Sequence, residues 1–492
     1  MRRVEADPVE PGGEEGAAPK AGQTQPGAEE ALLGRVGSVL GGAECARRQR
    51  VDAVLVPLYE LLERPAIASL RPLDELSVRI PHALKILLWH GYLLGGTGSN
   101  VYTRSLARAW SRAGHDVVVF SQEPHPEQFD LGGATVVRPT LDGPLPVFVL
   151  DRYEDLEPRY LQDLSTAERE SFVERNAAAV REHLPADYLF VNHVLLGAPV
   201  GAAVGMPFVV KAHGSELEFS MRGNDDLIAW ARGSLAGAKE VVVGSEHIRD
   251  VLADVVGWTE RVRIVPPGVN VEEFKPQPRD DALRLLLDEA GRDAPPTSER
   301  HPDAGNAERL EAFFADERPT VAYVGKLSRE KGVHLLLEAL REVEAKAVVV
   351  GFGPAREELE RAAGPDVLFT GPLEHRHLAR LLALADVSVA PSVFPEAFGM
   401  VAAEAAACGS PPLVALHSGL AAVAAGLESE YPPEHRHLAS FEPDDAGDLA
   451  AKLAEILALR PEEWRALSEA ARRAAVRLWS WEHVAQLLLS PE

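Results

Sequence analysis

The 492-residue chain carries 50 Lys and Arg against 75 Asp and Glu, a formal net charge of −25, and 46% of its residues are apolar. This length predicts two domains. The acidic balance argues against nucleic acid and against anionic membrane as partners of the whole chain, although a local basic patch stays open. The two cysteines, Cys45 and Cys408, do not make a disulfide framework, which favours a reducing compartment.

The first 80 residues differ in composition from the rest. Residues 1–45 are rich in Gly, Ala, Glu, Pro and Gln and lack apolar periodicity, which predicts disorder. Residues 51–70 are apolar, compatible with helix and interrupted by prolines. No stretch has the apolar core of a signal peptide or approaches the roughly 20 apolar residues of a membrane span. We expect residues 1–80 to be a disordered or accessory extension of a cytoplasmic protein. Membrane association is not indicated by the sequence and stays open.

From residue 84 onward, β-branched runs alternate with helical stretches. KILLWH, DVVVF, YLFVN, FVVKAH and EVVVGS form one series, and TVAYVG, AKAVVVG, DVLFTG, DVSVAPS and PPLVAL form a second. Such alternation is typical of doubly wound parallel sheets. The sequence therefore predicts an α/β protein with two Rossmann-like domains, 81–275 and 319–465, facing across a cleft. A charged, turn-rich segment, 276–318, is predicted to connect them. The final segment, 466–492, is predicted to be helical, with a break near Ser480, and to pack on the first domain.

The first glycine cluster, HGYLLGGTGSN, follows the strand KILLWH. Gly95 and Gly96 permit close approach of a ligand to the backbone, and a helix predicted to start near Ser99 would present its first amides to a phosphate. A tight turn without a ligand is the alternative. Dinucleotide binding is disfavoured, because Gly95, Gly96 and Gly98 do not fit the G-x-G-x-x-G spacing.

His213 follows the strand FVVKAH. A lone histidine is often structural, but the carboxyl end of a parallel strand is where ligands bind, so both roles stay open. Glu216, three residues later, fits the first turn of a helix capped by Ser215.

Two lysines follow the first strand of the second series, in the segment GKLSREKG. Gly325 opens this segment, and Lys326 and Lys331 lie five residues apart in one loop. Two cations on one short loop can neutralise a diphosphate. A solvated charged loop is the alternative.

The most specific segment is EAFGMVAAE. A helix is predicted to begin within residues 397–399, so that the amides of Phe398, Gly399 and Met400 point at an anion. Glu396 and Glu404 flank that helix start. Ionised carboxylates accept hydrogen bonds from sugar hydroxyls, which suggests one acid for a hexose and one for a ribose. Compensation of the helix dipole and plain surface charge are the alternatives.

In order and spacing, these motifs resemble glycosyltransferase family 4, a retaining family with the GT-B fold. EAFGMVAAE is similar to the E-x7-E signature of that family, and GKLSREKG, GFGP, PPGVN and SWEHVA agree with its surroundings. The resemblance covers the chain from residue 84 to the C-terminus. Lys326 stands where the family more often has arginine, so a point charge takes the place of the bidentate guanidinium group. Ala422 stands near a position that is often acidic in the family.

The resemblance implies a role for each motif residue. Glu396 would contact the donor sugar and Glu404 the ribose. Lys326 and Lys331 would bind the diphosphate, and His213 would approach the transferred sugar.

The resemblance also implies the reaction. A hexose would pass from a nucleoside diphosphate sugar to a hydroxyl acceptor with retention, while the leaving diphosphate accepts the acceptor proton. Gly95 and Gly96 would face the diphosphate and the acceptor. No cofactor is expected, and the sequence lacks a clustered metal-ligand set, so no metal is expected either. The alternatives are a nucleotide-sugar epimerase or hydrolase on the same fold, and a catalytically inactive sugar-nucleotide-binding protein.

Overall fold

The computed structural model describes residues 83–96, 98–148, 156–293 and 296–490, which all belong to one compact unit, His82–Glu492. The predicted extension, residues 1–80, lies outside the described residues. Among the described residues, no helix combines the length and the apolar content that a bilayer span requires.

Two parallel sheets organise this unit. The strands that precede residue 270 are β1 (Lys85–Trp89), β2 (Asp116–Phe120), β3 (Thr135–Val137), β4 (Leu145–Val147), β5 (Pro158–Tyr160), β6 (Tyr188–Asn192), β7 (Val209–Lys211), β8 (Glu240–Val243) and β9 (Val262–Ile264). Those that follow are β10 (Thr320–Val324), β11 (Lys346–Val350), β12 (Val367–Phe369), β13 (Val387–Ala390), β14 (Pro412–Ala415) and β15 (Ser440–Phe441). The central strands β1 and β11 are buried on both faces apart from Lys85, as helix-covered parallel sheets require.

The strand order reverses once in each sheet. The first sheet runs β3-β2-β1-β6-β7-β8-β9, and the second runs β12-β11-β10-β13-β14-β15, while β4 and β5 pair separately. All the pairings within the two large sheets are parallel. The reversal falls between β1 and β6 in one sheet and between β10 and β13 in the other. Ligands of doubly wound sheets bind at such points, beyond the carboxyl ends of the strands. The two predicted Rossmann-like sheets are therefore confirmed.

Helices cover both sheets. The first sheet carries α1 (Gly98–Arg112), α2 (Thr166–Arg181), α3 (Ala198–Val204), α4 (Asp225–Leu235) and α5 (Glu246–Val256). The remaining helices are α6 (Arg279–Ala290), α7 (Asn306–Phe314), α8 (Val333–Ala339), α9 (Arg356–Ala362), α10 (His375–Leu384), α11 (Met400–Cys408), α12 (Ser418–Glu430), α13 (Ala446–Leu457), α14 (Pro461–Trp479) and α15 (Trp481–Leu489). We call the first sheet with α1–α5 the N-terminal lobe, and the second sheet with α6–α14 the C-terminal lobe.

The segment 276–318 is more than a connection. It contains α6 and α7, which pack against each other, and α6 also packs on α10. Ala282, Leu286 and Ala290 of α6 are buried with Leu310 and Phe314 of α7 in the core of the C-terminal lobe. Four-residue apolar spacing produces this packing, but the many charged residues around it mask the helical pattern.

The chain crosses back to the N-terminal lobe at its end. α14 packs on α11 and α12, whereas α15 packs on α1. The break between them falls at Ser480, as predicted, and its side chain caps α15 by accepting from the His483 amide at 3.2 Å. The Val269 amide donates to the Trp479 carbonyl at 2.5 Å, so both crossings between the lobes lie side by side. The predicted terminal packing thus applies to α15, while α14 belongs to the C-terminal lobe.

Candidate active site

A cavity of about 800 Å³ opens where the two strand-order reversals face each other. This volume lies within the ordinary range for small-molecule sites. Every residue that the sequence selects for the site lines it: Gly95, Gly96, His213, Gly325, Lys326, Lys331, Glu396, Phe398, Gly399, Met400 and Glu404. The structure thus brings together residues that are up to 309 positions apart, between Gly95 and Glu404. Their individual roles remain predictions.

Two loops of the C-terminal lobe are joined at the cavity wall. The Glu330 carbonyl accepts from the amides of Val393 and Phe394 at 3.0 and 3.1 Å. Gly332 has φ 67°, and a Cβ there would lie 1.8 Å from the Pro391 carbonyl oxygen, so only glycine fits. The loop after β10 is therefore fixed against the loop after β13.

This contact positions the pair Lys331 and Glu396. The Lys331 ammonium donates a hydrogen bond to the Glu396 carboxylate, and both side chains are about one-quarter to one-third exposed. The Glu396 amide donates to Ser418 Oγ at 2.9 Å, which fixes the backbone beside the acid. The pair therefore faces the cavity with a cation and a carboxylate side by side, and each group keeps donor or acceptor capacity for a ligand.

The start of α11, which the sequence predicts to face an anion, lies slightly later than predicted. The helix begins at Met400, and Gly399 precedes it with φ 111°, a conformation that favours glycine. Phe398 lies before the helix, and its side chain is buried against Trp479 at a ring distance of 6.0 Å. The amides of Met400 and Val401, which have no intrahelical acceptor, therefore form the helix start at the cavity. Sequence patterns missed this shift because apolar Phe398 and Met400 both fit a helix.

Glu404 lies deeper in the cavity. It is only 7% exposed, and burial, with a smaller contribution from the negative charge of Glu273, raises its pKa from 4.5 to about 8. Burying a carboxylate without hydrogen-bond donors costs free energy, and hydroxyl donors from a ligand would lower that cost. The sequence alternative of plain surface charge is wrong for Glu404.

The raised pKa of Glu404 predicts how the Glu404→Gln substitution changes stability with pH. Between pH 4.5 and about 8 the folded state keeps a proton that the unfolded state releases, so the free energy of unfolding falls as pH rises through this window. Glutamine has a similar shape and does not ionise. We expect equal melting temperatures for the variant and the wild type below about pH 4, and a higher one for the variant, by several degrees, at about pH 9.

Melting curves of both proteins across this pH range measure the difference. Glu338→Gln, at an exposed position of α8, is the matched control and should give a difference that does not change with pH. A constant difference for Glu404→Gln would contradict the raised pKa.

His213 is held in one tautomer by a hydrogen-bond chain. Its Nε2 lies 3.0 Å from Asn192 Oδ1. The Asn192 amide nitrogen donates to Thr103 Oγ1 at 3.2 Å, which in turn donates to the Ser99 carbonyl at 2.8 Å. Because this chain orients the amide oxygen of Asn192 toward the ring, Nε2 of His213 carries the proton and Nδ1 is left as an acceptor.

His213 is also neutral. Burial lowers its pKa well below 6.5, and the nearby positive charge of Lys211 lowers it further. A neutral ring with an acceptor nitrogen can receive a hydrogen bond from a sugar hydroxyl. The sequence pattern selected His213 as a candidate but did not indicate Asn192 or Thr103. The only signal for Asn192 was its place at the carboxyl end of β6.

Glu216 begins a short π-helix, Glu216–Met221, in agreement with its predicted place in a first helical turn, but the predicted cap is wrong. Ser215 makes no capping bond, and the Glu216 carboxyl group is fully buried. It accepts from the amides of Val194, Leu195 and His213 at 2.9, 3.1 and 3.1 Å. Burial raises its pKa to about 7 in spite of these three donors. Glu216 thus fixes the loop after β6 to the loop that carries His213.

Comparisons with known proteins show which families and proteins this chain is similar to. The family model described as glycosyl transferases group 1 matches residues 306–474, and the one described as Glycosyltransferase Family 4 matches residues 96–273. The MMP alpha-(1->4)-mannosyltransferase of Mycolicibacterium hassiacum is 28% identical over 417 residues, which cover 79% of this chain and 92% of that protein. The D-inositol 3-phosphate glycosyltransferase of Xylanimonas cellulosilytica is 30% identical over 279 residues, 52% of this chain and 59% of that protein.

Solved structures share the fold. A glycosyltransferase from Rickettsia africae superposes with a TM-score of 0.60 at 15% identity, over 83% of this chain and 97% of that one. Sucrose-phosphate synthase from Thermosynechococcus elongatus gives 0.54 at 22% identity, over 82% and 97%. Anabaena Alr3699/HepE, solved in complex with UDP and glucose, gives 0.56 at 17% identity, over 82% and 98%.

Proposed function

The chain belongs to the group 1 glycosyltransferases of the GT-B fold, and we propose that it transfers a hexose from a nucleoside diphosphate sugar to a hydroxyl acceptor with retention of the anomeric configuration. The observation that carries this proposal is the pair Lys331 and Glu396 beside the start of α11, at the strand-order reversal of the C-terminal lobe. The fold relative HepE was solved with UDP and glucose bound, and we propose the same class of donor here.

In the proposed reaction, the bond between the anomeric carbon and the diphosphate oxygen breaks while the acceptor oxygen bonds to that carbon. Negative charge builds on the leaving diphosphate. Lys326, Lys331 and the first amides of α11 line the cavity and supply positive potential there. The acceptor proton passes to the leaving phosphate on the same face, so the products are a nucleoside diphosphate and a glycoside. Because these groups supply the stabilisation, we propose that transfer needs no divalent metal ion.

The other polar groups divide the donor between them. Glu396 accepts from hydroxyls of the hexose, and Glu404 accepts from the ribose. Nδ1 of His213 accepts a hydrogen bond from a hydroxyl of the transferred sugar. Each assignment uses the hydrogen-bonding capacity that the site leaves to that group.

Donor binding is the first test. A nucleoside diphosphate sugar at about 100 times its dissociation constant adds ~2.7 kcal/mol to the free energy of unfolding, and we expect the melting temperature to rise by a few degrees. UDP-glucose, GDP-mannose and ADP-glucose are compared in thermal melts, with free glucose as the control. The stabilising donor is then incubated with hydroxyl acceptors in EDTA, and retention is read from the anomeric proton coupling of the product.

Each contrary outcome identifies an alternative. Rapid turnover of the donor without any acceptor would indicate a hydrolase or an epimerase. Binding without transfer to any acceptor would indicate an inactive sugar-nucleotide-binding protein, and loss of transfer in EDTA would contradict metal independence.

A further inference from the structure

His193 is a buried histidine at the cavity that the proposed mechanism does not use. It follows β6 directly and begins a short π-helical turn, His193–Gly197. Its φ of 73° lies in the left-handed region, which is uncommon for a residue with a side chain. Such strained residues cluster at ligand sites, where the surrounding structure holds them in place. The backbone of His193 is thus held in a conformation that brings its imidazole to the cavity.

Aromatic rings enclose the imidazole of His193. Its centroid lies 4.6 Å from that of His213, 5.2 Å from that of Phe148 and 5.3 Å from that of Tyr92. The side chain is 3% exposed. These neighbours are rigid, flat and largely apolar, a lining that suits the C–H faces of a ring-shaped ligand.

The ring nitrogens of His193 have no hydrogen-bond partner among the described residues. Glu216 Oε2 approaches Nδ1 only to 3.9 Å, which is too far for a hydrogen bond. Buried polar atoms are nearly always paired, so each exception asks for an explanation. Since the ring lines the cavity, a ligand is the natural partner.

The charge state of His193 restricts that ligand. Burial lowers its pKa well below 6.5, and the neighbouring rings of His213 and His90 lower it further. The neutral ring has one N–H donor and one acceptor nitrogen. A hydroxyl group both donates and accepts, so neutral imidazole matches hydroxyls, whereas an anion would need a positive charge.

We propose that His193 binds a hydroxyl group of the acceptor, and that the acceptor is a neutral saccharide or cyclic polyol whose ring packs on Phe148 and Tyr92. This inference rests on the proposed function. The donor groups Lys326, Lys331, Glu396 and Glu404 all belong to the C-terminal lobe, whereas His193 lies in the N-terminal lobe, next to the ring of His213, which faces the transferred sugar. A hydroxyl group of an acceptor bound to His193 would therefore approach the anomeric carbon of the donor in the cavity between the lobes.

Ligand-observed NMR tests this without requiring turnover. The probes are methyl α-D-glucopyranoside, methyl α-D-mannopyranoside and myo-inositol, with glucose 6-phosphate as the anionic comparison, all in the presence of saturating UDP. We expect the wild type to bind at least one neutral probe. His193→Ala should weaken that binding by tenfold or more and leave the dissociation constant of UDP within twofold. His193→Asn should recover part of the binding, because asparagine tolerates a positive φ and its side-chain amide can both donate and accept a hydrogen bond.

The matched control is His247→Ala, on α5 outside the cavity, which should bind the probe as the wild type does. Circular dichroism establishes that each variant is folded. Equal probe binding by His193→Ala and the wild type, no binding of any neutral probe, or preference for glucose 6-phosphate would each overturn the inference. A wild type that binds no nucleoside diphosphate would instead overturn the proposed function, so the two failures are distinguishable.

Discussion

Replacing Lys331 with alanine is expected to lower kcat for transfer by about two to three orders of magnitude, the loss seen when one preorganised donor to a developing oxyanion is removed. Two effects combine. The leaving diphosphate loses a cation, and the Glu396 carboxylate loses the ammonium that now neutralises it. An uncompensated carboxylate beside the diphosphate raises the energy of the transition state further.

Steady-state kinetics with a saturating donor measure this loss. Arg329→Ala is the matched control, because Arg329 lies two residues earlier in the same turn, is 81% exposed and pairs with Glu358 outside the cavity. Its kcat should stay within twofold of wild type. Lys331→Arg should recover part of the rate, since it restores charge with a different shape. A near-normal kcat for Lys331→Ala would contradict the assignment of this loop to the diphosphate.

Replacing Glu396 with glutamine is expected to lower kcat/KM for the donor sugar by about 10- to 100-fold. A hydrogen bond from a hydroxyl to a charged group contributes about 1.5–3 kcal/mol, and the neutral amide forfeits most of it. UDP itself lacks the hexose, so its dissociation constant should stay the same or fall slightly. A lower kcat/KM for the donor sugar with an unchanged dissociation constant for UDP indicates a contact with the sugar. A general disturbance of the site would weaken the binding of both.

The two substitutions should also be coupled. Because Lys331 and Glu396 are in direct contact, the double variant should lose less transition-state stabilisation than the sum of the single losses. Glu338→Gln serves again as the control for removal of a surface carboxylate. Strict additivity of the two losses would contradict the coupling of Lys331 and Glu396. Equal losses of UDP and UDP-sugar binding in Glu396→Gln would contradict a contact between Glu396 and the sugar.

Local sequence patterns predicted the elements that carry the site. Apolar runs of five residues followed by glycines predicted strands that end in ligand-binding loops, and EAFGMVAAE predicted a helix start between two acids. All eleven selected residues line one cavity. These features were readable because strand burial, glycine conformation and helix ends depend mainly on residues close in the chain.

Some predictions failed where charge or apolar content hid the pattern. The segment 276–318 contains α6 and α7, whose buried faces are outnumbered by charged neighbours. The helix α11 begins at Met400, later than predicted, because the local sequence does not show that Gly399 adopts a positive φ. In both cases, contacts with distant elements determine the outcome.

The sequence by itself determined the fold class, the two sheets, the break at Ser480 and a set of residues that line one cavity, because each of these follows from short-range periodicity and residue chemistry. Only the tertiary structure decided the tautomer of His213, the buried role of Glu216 and the lack of a partner for the His193 ring within the described part of the chain. Those properties depend on which groups meet where the loops after β1, β6 and β7 come together, and hydrogen-bond partners and desolvation arise from residues far apart in the chain.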